Sequence, residues 1–188
     1  MDLRPEKSSL RRLLLEKRDS TSYEFTQISS KKIQKKLQKL DFFREAKTIG
    51  AYYSIDSEVS TKNILQDILN DAKDLSLPKV VDDNLIFKKI SSLKDLEQGS
   101  FSILEPKENC ADTSDLDVIL VPSIAMTRNG QRLGYGYGYY DRYLSSTKSK
   151  TITLTYSKQI VKHIPETEND VRIDYIITEN EILDTSMY

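Results

Sequence analysis

Along residues 7–18 the apolar positions Leu10, Leu13 and Leu14 fall at helical spacing among lysines and arginines, which predicts an amphipathic helix. Thr21-x-x-Glu24 has the form of a capping box opening a second helix. That helix runs through Phe25, Ile28, Ile33, Leu37 and Leu40, with Lys31, Lys32, Lys35, Lys36 and Lys39 on its wet side. TIGAYY, residues 48–53, reads as a short apolar strand followed by a turn over residues 54–57. Helical spacing returns over residues 61–72 through Ile64, Leu65, Ile68 and Leu69. Residues 75–81 and 85–90 read as strands, the first broken by Pro78. Residues 92–115 show little period: Leu93 and Leu96 predict a short helical turn, and FSILEP (residues 101–106) a chain end tucked onto a sheet.

LDVILVP, residues 116–122, is the clearest strand, a continuous apolar run of the kind expected when both sheet faces are covered. A helix over Tyr139–Leu144 and strands over residues 151–156 and 174–178 follow. Strands alternating with helices predict an α/β fold. The expectation is a single three-layer domain over residues 1–188, with a mainly parallel sheet flanked by helices, Rossmann-like but without the dinucleotide fingerprint. In such sheets ligands bind outside the carboxyl ends of the strands, here Tyr53 with its turn and Pro122 with its loop.

Composition narrows the chemistry. Lys+Arg 28 against Asp+Glu 29 leaves a net charge of −1, so no global field argues for a nucleic-acid or membrane partner. No apolar run approaches the roughly 20 residues of a membrane helix. The highly charged N-terminal stretch is unlike a signal peptide, and a cytoplasmic location is expected. One cysteine, Cys110, and one histidine, His163, argue against Cys/His metal clusters and a Cys-His pair, and no G-x-S-x-G elbow surrounds a serine.

The chemistry gathers instead in GQRLGYGYGYYDRYL, residues 130–144. Gly134-x-Gly136-x-Gly138 leading into a helix lets backbone N–H groups converge on an anion, and Arg132 supplies a forked cation suited to phosphate. Asp141 makes sense beside phosphate when Mg²⁺ lies between them. Neither the P-loop nor the G-x-G-x-x-G pattern is present, and the glycines alone also fit a flexible surface loop.

RLGYGYGYYDRYL resembles the signature of the 5-formyltetrahydrofolate cyclo-ligase family, also called 5,10-methenyltetrahydrofolate synthetases. KSSLR at residues 7–11, YYSIDSEVST at 52–61, LPKV, FSILEP, LDVILVP and END at 168–170 follow in that family's order. The resemblance implies ATP- and Mg²⁺-dependent closure of 5-formyltetrahydrofolate to 5,10-methenyltetrahydrofolate, with ATP as co-substrate and ADP and phosphate released. It places ATP on Lys7, Arg11, Arg132, Leu133, Gly134, Tyr135, Gly136, Tyr137, Gly138, Tyr139 and Tyr140. It places the folate on Tyr53, Glu58, Tyr135, Gly136, Tyr137, Gly138 and Tyr139, and Mg²⁺ on Asp141 and Asp170. By residue type alone, Lys7 and Arg11 also read as a solvated helix face, Glu58 as a helix N-terminal charge, and Asp170 as a turn residue.

Ser123, Met126, Thr127 and Tyr137 depart from residues usual in the family, which puts folate affinity and glutamate-tail preference in question. The resemblance implies small-molecule partners; no nucleic acid, membrane or obligate protein partner is expected, and a single compact domain with no evident zipper favours a monomer. Competing readings are an ATP-dependent ligase acting on another substrate, a folate-binding protein without catalysis, and a nucleic-acid module using the lysine-rich helix face.

Overall fold

The structure, a computed structural model, describes residues 4–99 and 103–188. Two helices, α1 (Arg4–Asp19) and α2 (Tyr23–Leu37), precede a short α3 (Asp41–Glu45), strand β1 (Thr48–Gly50) and helix α4 (Lys62–Asn70). Then come β2 (Asp74–Val81), β3 (Asn84–Ile90), β4 (Leu96–Gln98), β5 (Leu104–Pro106), β6 (Asp112–Thr113) and β7 (Val118–Leu120). The chain finishes with β8 (Ala125–Met126), β9 (Arg132–Leu133), α5 (Tyr139–Leu144), β10 (Lys150–Leu154), β11 (Tyr175–Ile177) and β12 (Ile182–Asp184).

Eight strands form one sheet in the order β12-β11-β10-β7-β1-β2-β3-β6. The five central strands are parallel, and antiparallel pairing is confined to β12, β3 and β6 at the edges. This is the mainly parallel α/β architecture the alternating pattern predicts. Alternation along β7 explains the layers. Val118 and Leu120 face a core shared with α2 and α4, through Ile33, Leu37, Ile64, Leu65 and Ile68. Ile119 faces the opposite core with Phe87, Ile176 and Leu144 of α5. Residues buried on both faces need no polar alternation, which is why the run is continuously apolar.

Several local expectations are corrected. Ser22, not Thr21, caps α2, its Oγ accepting from the Phe25 N–H at 3.2 Å. Thr21 is drawn off because its hydroxyl accepts from Lys158. The second helix ends at Leu37, and Leu40 instead caps α3. Regular pairing covers only Thr48–Gly50 of TIGAYY and Val118–Leu120 of LDVILVP. FSILEP contributes β5, which pairs with β4 beside β2; its residues 101–102 lie outside the described residues.

Pro78 does not break its strand. Ser76 turns its carbonyl to β1, accepting from Ala51 N–H, so Pro78 two residues on turns its nitrogen to the same side. There β1 has already ended, so no ladder bond is lost, while Pro78 stays in register with Phe87 of β3.

That early end of β1 positions the site. From β1 the chain steps to β2 on one side, while β7, β10 and β11 build out on the other, so the sheet has its switch point between β1 and β7. A crevice opens beyond the carboxyl ends of these two strands.

Candidate active site

Into this crevice opens a cavity of about 670 Å³. Lys7 and Arg11 from α1, Tyr53 and Glu58 from the segment after β1, residues 132–141, and Asp170 all border it. Every candidate site residue named from the sequence is thus brought to one place. Pro78 and Val80 on the uncovered edge of β2, with Leu85 of β3 and Leu104 of β5, give it an apolar wall.

Glu58 is set by the turn after β1. Thr61 Oγ1 donates to Tyr52 O at 2.8 Å and accepts from Ser54 N–H at 2.9 Å, closing the turn. The Glu58 side chain folds back, Oε2 accepting from Ile55 N–H at 3.0 Å, so it is not a helix N-terminal charge. Its Oε1 accepts from the Tyr135 hydroxyl at 2.5 Å. Burial pushes the Glu58 carboxyl above its ordinary value, opposed by the Tyr135 and Ile55 hydrogen bonds and by the charge of Arg18.

Across the cavity lies a cationic corner. Lys7 Nζ meets Asp170 Oδ2 at 2.5 Å, and Arg11 Nε donates to Gly134 O at 2.7 Å. Arg132, on β9, donates from Nη2 to Asp141 Oδ2 at 2.8 Å and from Nη1 to Pro122 O at 3.1 Å. Its Nε–H is buried without a partner among the described residues, as is the Tyr140 hydroxyl. Burial lowers the pKa of Arg11; Asp170 opposes that shift and Arg132 adds to it. Crowded cations with an unmatched donor form a place suited to an anion.

The glycine segment passes between these corners. Gly136 has φ +108° and Gly138 φ +71°, values that L side chains rarely adopt. Gly138 caps α5, so the six-residue helix starts at Tyr139 with its first turn at the cavity. Tyr137 and Tyr139 stack with centroids 5.7 Å apart, and the Arg142 guanidinium lies 5.2 Å from the Tyr139 centroid.

The two acids proposed for a metal are brought near one another. Asp141 Oδ1 accepts from Val171 N–H at 3.3 Å, and Val171 directly follows Asp170. No group of three or more His, Cys, Asp or Glu side chains able to hold a metal occurs among the described residues. Two carboxylates suit Mg²⁺, which takes one or two and completes its shell with phosphate oxygens and water. Each acid is meanwhile held by a cation, Arg132 or Lys7.

The sequence profile of the 5-formyltetrahydrofolate cyclo-ligase family matches residues 4–179. The chain belongs to that family. It is thus a member of an enzyme family whose profile spans both Lys7 and Asp170. A Caenorhabditis elegans relative described as a probable 5-formyltetrahydrofolate cyclo-ligase is 31% identical over 94% of each chain. The Haemophilus influenzae cyclo-ligase is 34% identical over 68% of this chain and 73% of its own. The solved structure of Aquifex aeolicus 5,10-methenyltetrahydrofolate synthetase superposes with a TM-score of 0.85 at 32% identity, covering 95% of this chain and 92% of that one.

One residue behind the cavity wall escapes sequence reasoning. Arg18, only 2% exposed, donates from Nη1 to the Tyr135 hydroxyl at 3.1 Å and from Nε to Ser57 Oγ at 2.9 Å. In the sequence it is one more cation in a charged run at the end of α1, with no pattern to separate it from Lys17.

Proposed function

We propose that this chain closes 5-formyltetrahydrofolate to 5,10-methenyltetrahydrofolate at the expense of ATP, releasing ADP and phosphate. What carries the reading is that a single cavity joins a cationic corner, a buried carboxylate and an aromatic loop. The folate pterin lies toward Glu58, whose carboxylate accepts its amino and ring N–H groups, with Tyr53 and the loop tyrosines against flat ring surface. The ATP phosphates lie along Lys7, Arg11 and Arg132, under the N–H groups of residues 134–140.

The formyl oxygen attacks the γ-phosphorus, the bond to ADP breaks, and the formyl carbon now carries phosphate as a leaving group. N10 then attacks that carbon, loses its proton, and phosphate departs as the ring closes. The chain's share is to hold the two substrates in line and to neutralise charge on the transferred group. Asp141 and Asp170 would hold Mg²⁺, which would supply positive charge to offset that of the phosphates.

Growth of the methenyl chromophore with 5-formyltetrahydrofolate and MgATP, absent when either is omitted, is the expected result. A purified, folded protein that binds ATP yet gives no chromophore would sink the reading. Arg132→Ala removes a guanidinium proposed to hold ATP phosphate, and kcat/KM for ATP is expected to fall by about tenfold or more.

A further inference from the structure

We infer that Arg18 is a positioning residue for folate recognition: it does not border the cavity, but it holds Tyr135 and Glu58 in their binding arrangement from behind. The inference rests on the reading of Glu58 as the folate-recognising carboxylate.

The geometry is a relay with one fork at its root. Arg18 Nη1 reaches the Tyr135 oxygen at 3.1 Å and lies 3.8 Å from Glu58 Oε1, while the Tyr135 hydroxyl donates to that same Oε1 at 2.5 Å. Arg18 Nε is anchored on Ser57 Oγ, whose own hydroxyl donates to Asp19. An accepted hydrogen bond from Arg18 leaves the Tyr135 hydroxyl with its proton committed to Glu58. One cation therefore ties the loop tyrosine to the turn that carries Ser57 and Glu58, two parts of the chain that lie far apart in sequence.

The other groups near the carboxyl make this cation the necessary one. Asp56 and the burial itself favour protonated Glu58, while the Ile55 N–H and Tyr135 favour the charged form. Tyr52 and Tyr140 nearby are phenols, which carry no positive charge in either protonation state and so supply no countercharge. A carboxyl that is to accept from the amino and ring N–H groups of a pterin on both oxygens does so fully only when ionised, since protonation turns one oxygen into a donor. Removing Arg18 leaves a buried carboxyl without its cation, which then takes up a proton at higher pH than before.

The test compares wild type, Arg18→Met and Arg18→Lys by calorimetric Kd for 5-formyltetrahydrofolate and for ATP, with steady-state KM measured in parallel. From about pH 6 to about pH 9, Arg18→Met is expected to bind the folate about tenfold more weakly at the acid end. That loss should shrink as pH rises and ionises Glu58, and the Kd for ATP should stay within about twofold of wild type. Arg18→Lys keeps the charge but cannot serve Ser57 and Tyr135 together, so it should show a smaller, pH-independent loss. Arg18→Met with wild-type folate affinity at every pH overturns the inference, as does an equal loss for folate and ATP at every pH. If Arg18→Met does not fold, Arg18→Lys decides: wild-type folate affinity in that variant overturns it. Binding of folate by wild type without turnover would fail the cyclo-ligase reading while leaving the Arg18 comparison intact; no folate binding at all would fail both.

Discussion

In the proposed reading, Glu58 is a single buried acid with a selective role. It is only 6% exposed, and its two oxygens already accept from Tyr135 and Ile55. Glu58→Gln preserves the shape but replaces an acceptor-only group with one that also presents N–H donors toward a donor-bearing ligand. The folate KM is expected to rise about tenfold or more while the ATP KM changes little, read from steady-state kinetics with each substrate varied. A second acid, Glu166, works on stability. Arg172 grips it at both oxygens, 2.9 and 2.8 Å, and holds its carboxyl down at about 2 from an ordinary 4.5; Gln131 adds a bond at 2.8 Å. A depressed carboxyl stabilises the fold above its ordinary pKa, and that contribution fades as pH falls from about 4.5 toward about 2. Arg172→Ala should remove it: thermal midpoints of variant and wild type should differ near neutrality and converge toward pH 2. The pair also closes the loop that presents Asp170, so the variant reports on site geometry as well.

At the scale of the element, the glycine segment imposes the sharpest constraint. A Cβ on Gly136 would force a strained backbone at φ +108° and stand 3.2 Å from Arg11 Cζ. Gly136→Ala is expected to cost on the order of 1–3 kcal/mol, with kcat/KM for ATP falling further than the thermal midpoint would imply. Wild-type kinetics in that variant would show that the loop's conformation is not what holds nucleotide. The element scale is also where the sequence was least legible. α4 follows its apolar period, and the residues of the glycine segment announce their chemistry by type and spacing. Caps and strand ends did not follow from local pattern: Thr21 loses the cap of α2 to a hydroxyl bond with Lys158, 137 residues away. Strand length at β1 is likewise set by what lies beside it, and not by TIGAYY itself. The β8–β9 hairpin that seats Arg132 is two residues a side and carries no periodic signal. Arg18 escaped for the same reason, since its burial depends on Ser57 and Tyr135 from distant parts of the chain.

Across the whole molecule, the sheet's switch point brings α1, the turn after β1, the glycine segment and the loop near Asp170 to one crevice. Ligand binding there ties together segments from both ends of the chain, so it should be felt globally. MgATP at about 100 times its Kd is expected to stabilise the fold by about 2.7 kcal/mol, measurable as a rise in thermal midpoint that Arg132→Ala diminishes. The layer order was legible from the alternation of apolar strands and helices, because parallel strands covered on both faces leave that mark. The crevice follows from the same topology, but its apolar wall depends on β1 stopping at Gly50, which exposes the flank of β2. An uncovered strand flank inside a sheet is an invitation to a stray chain. Pro78 presents a ring where a ladder donor would stand, so the enzyme can keep its cavity open without offering a template for self-association; Pro78→Thr would restore that donor, and the loss would be seen as turbidity on storage or heating before it was seen in turnover.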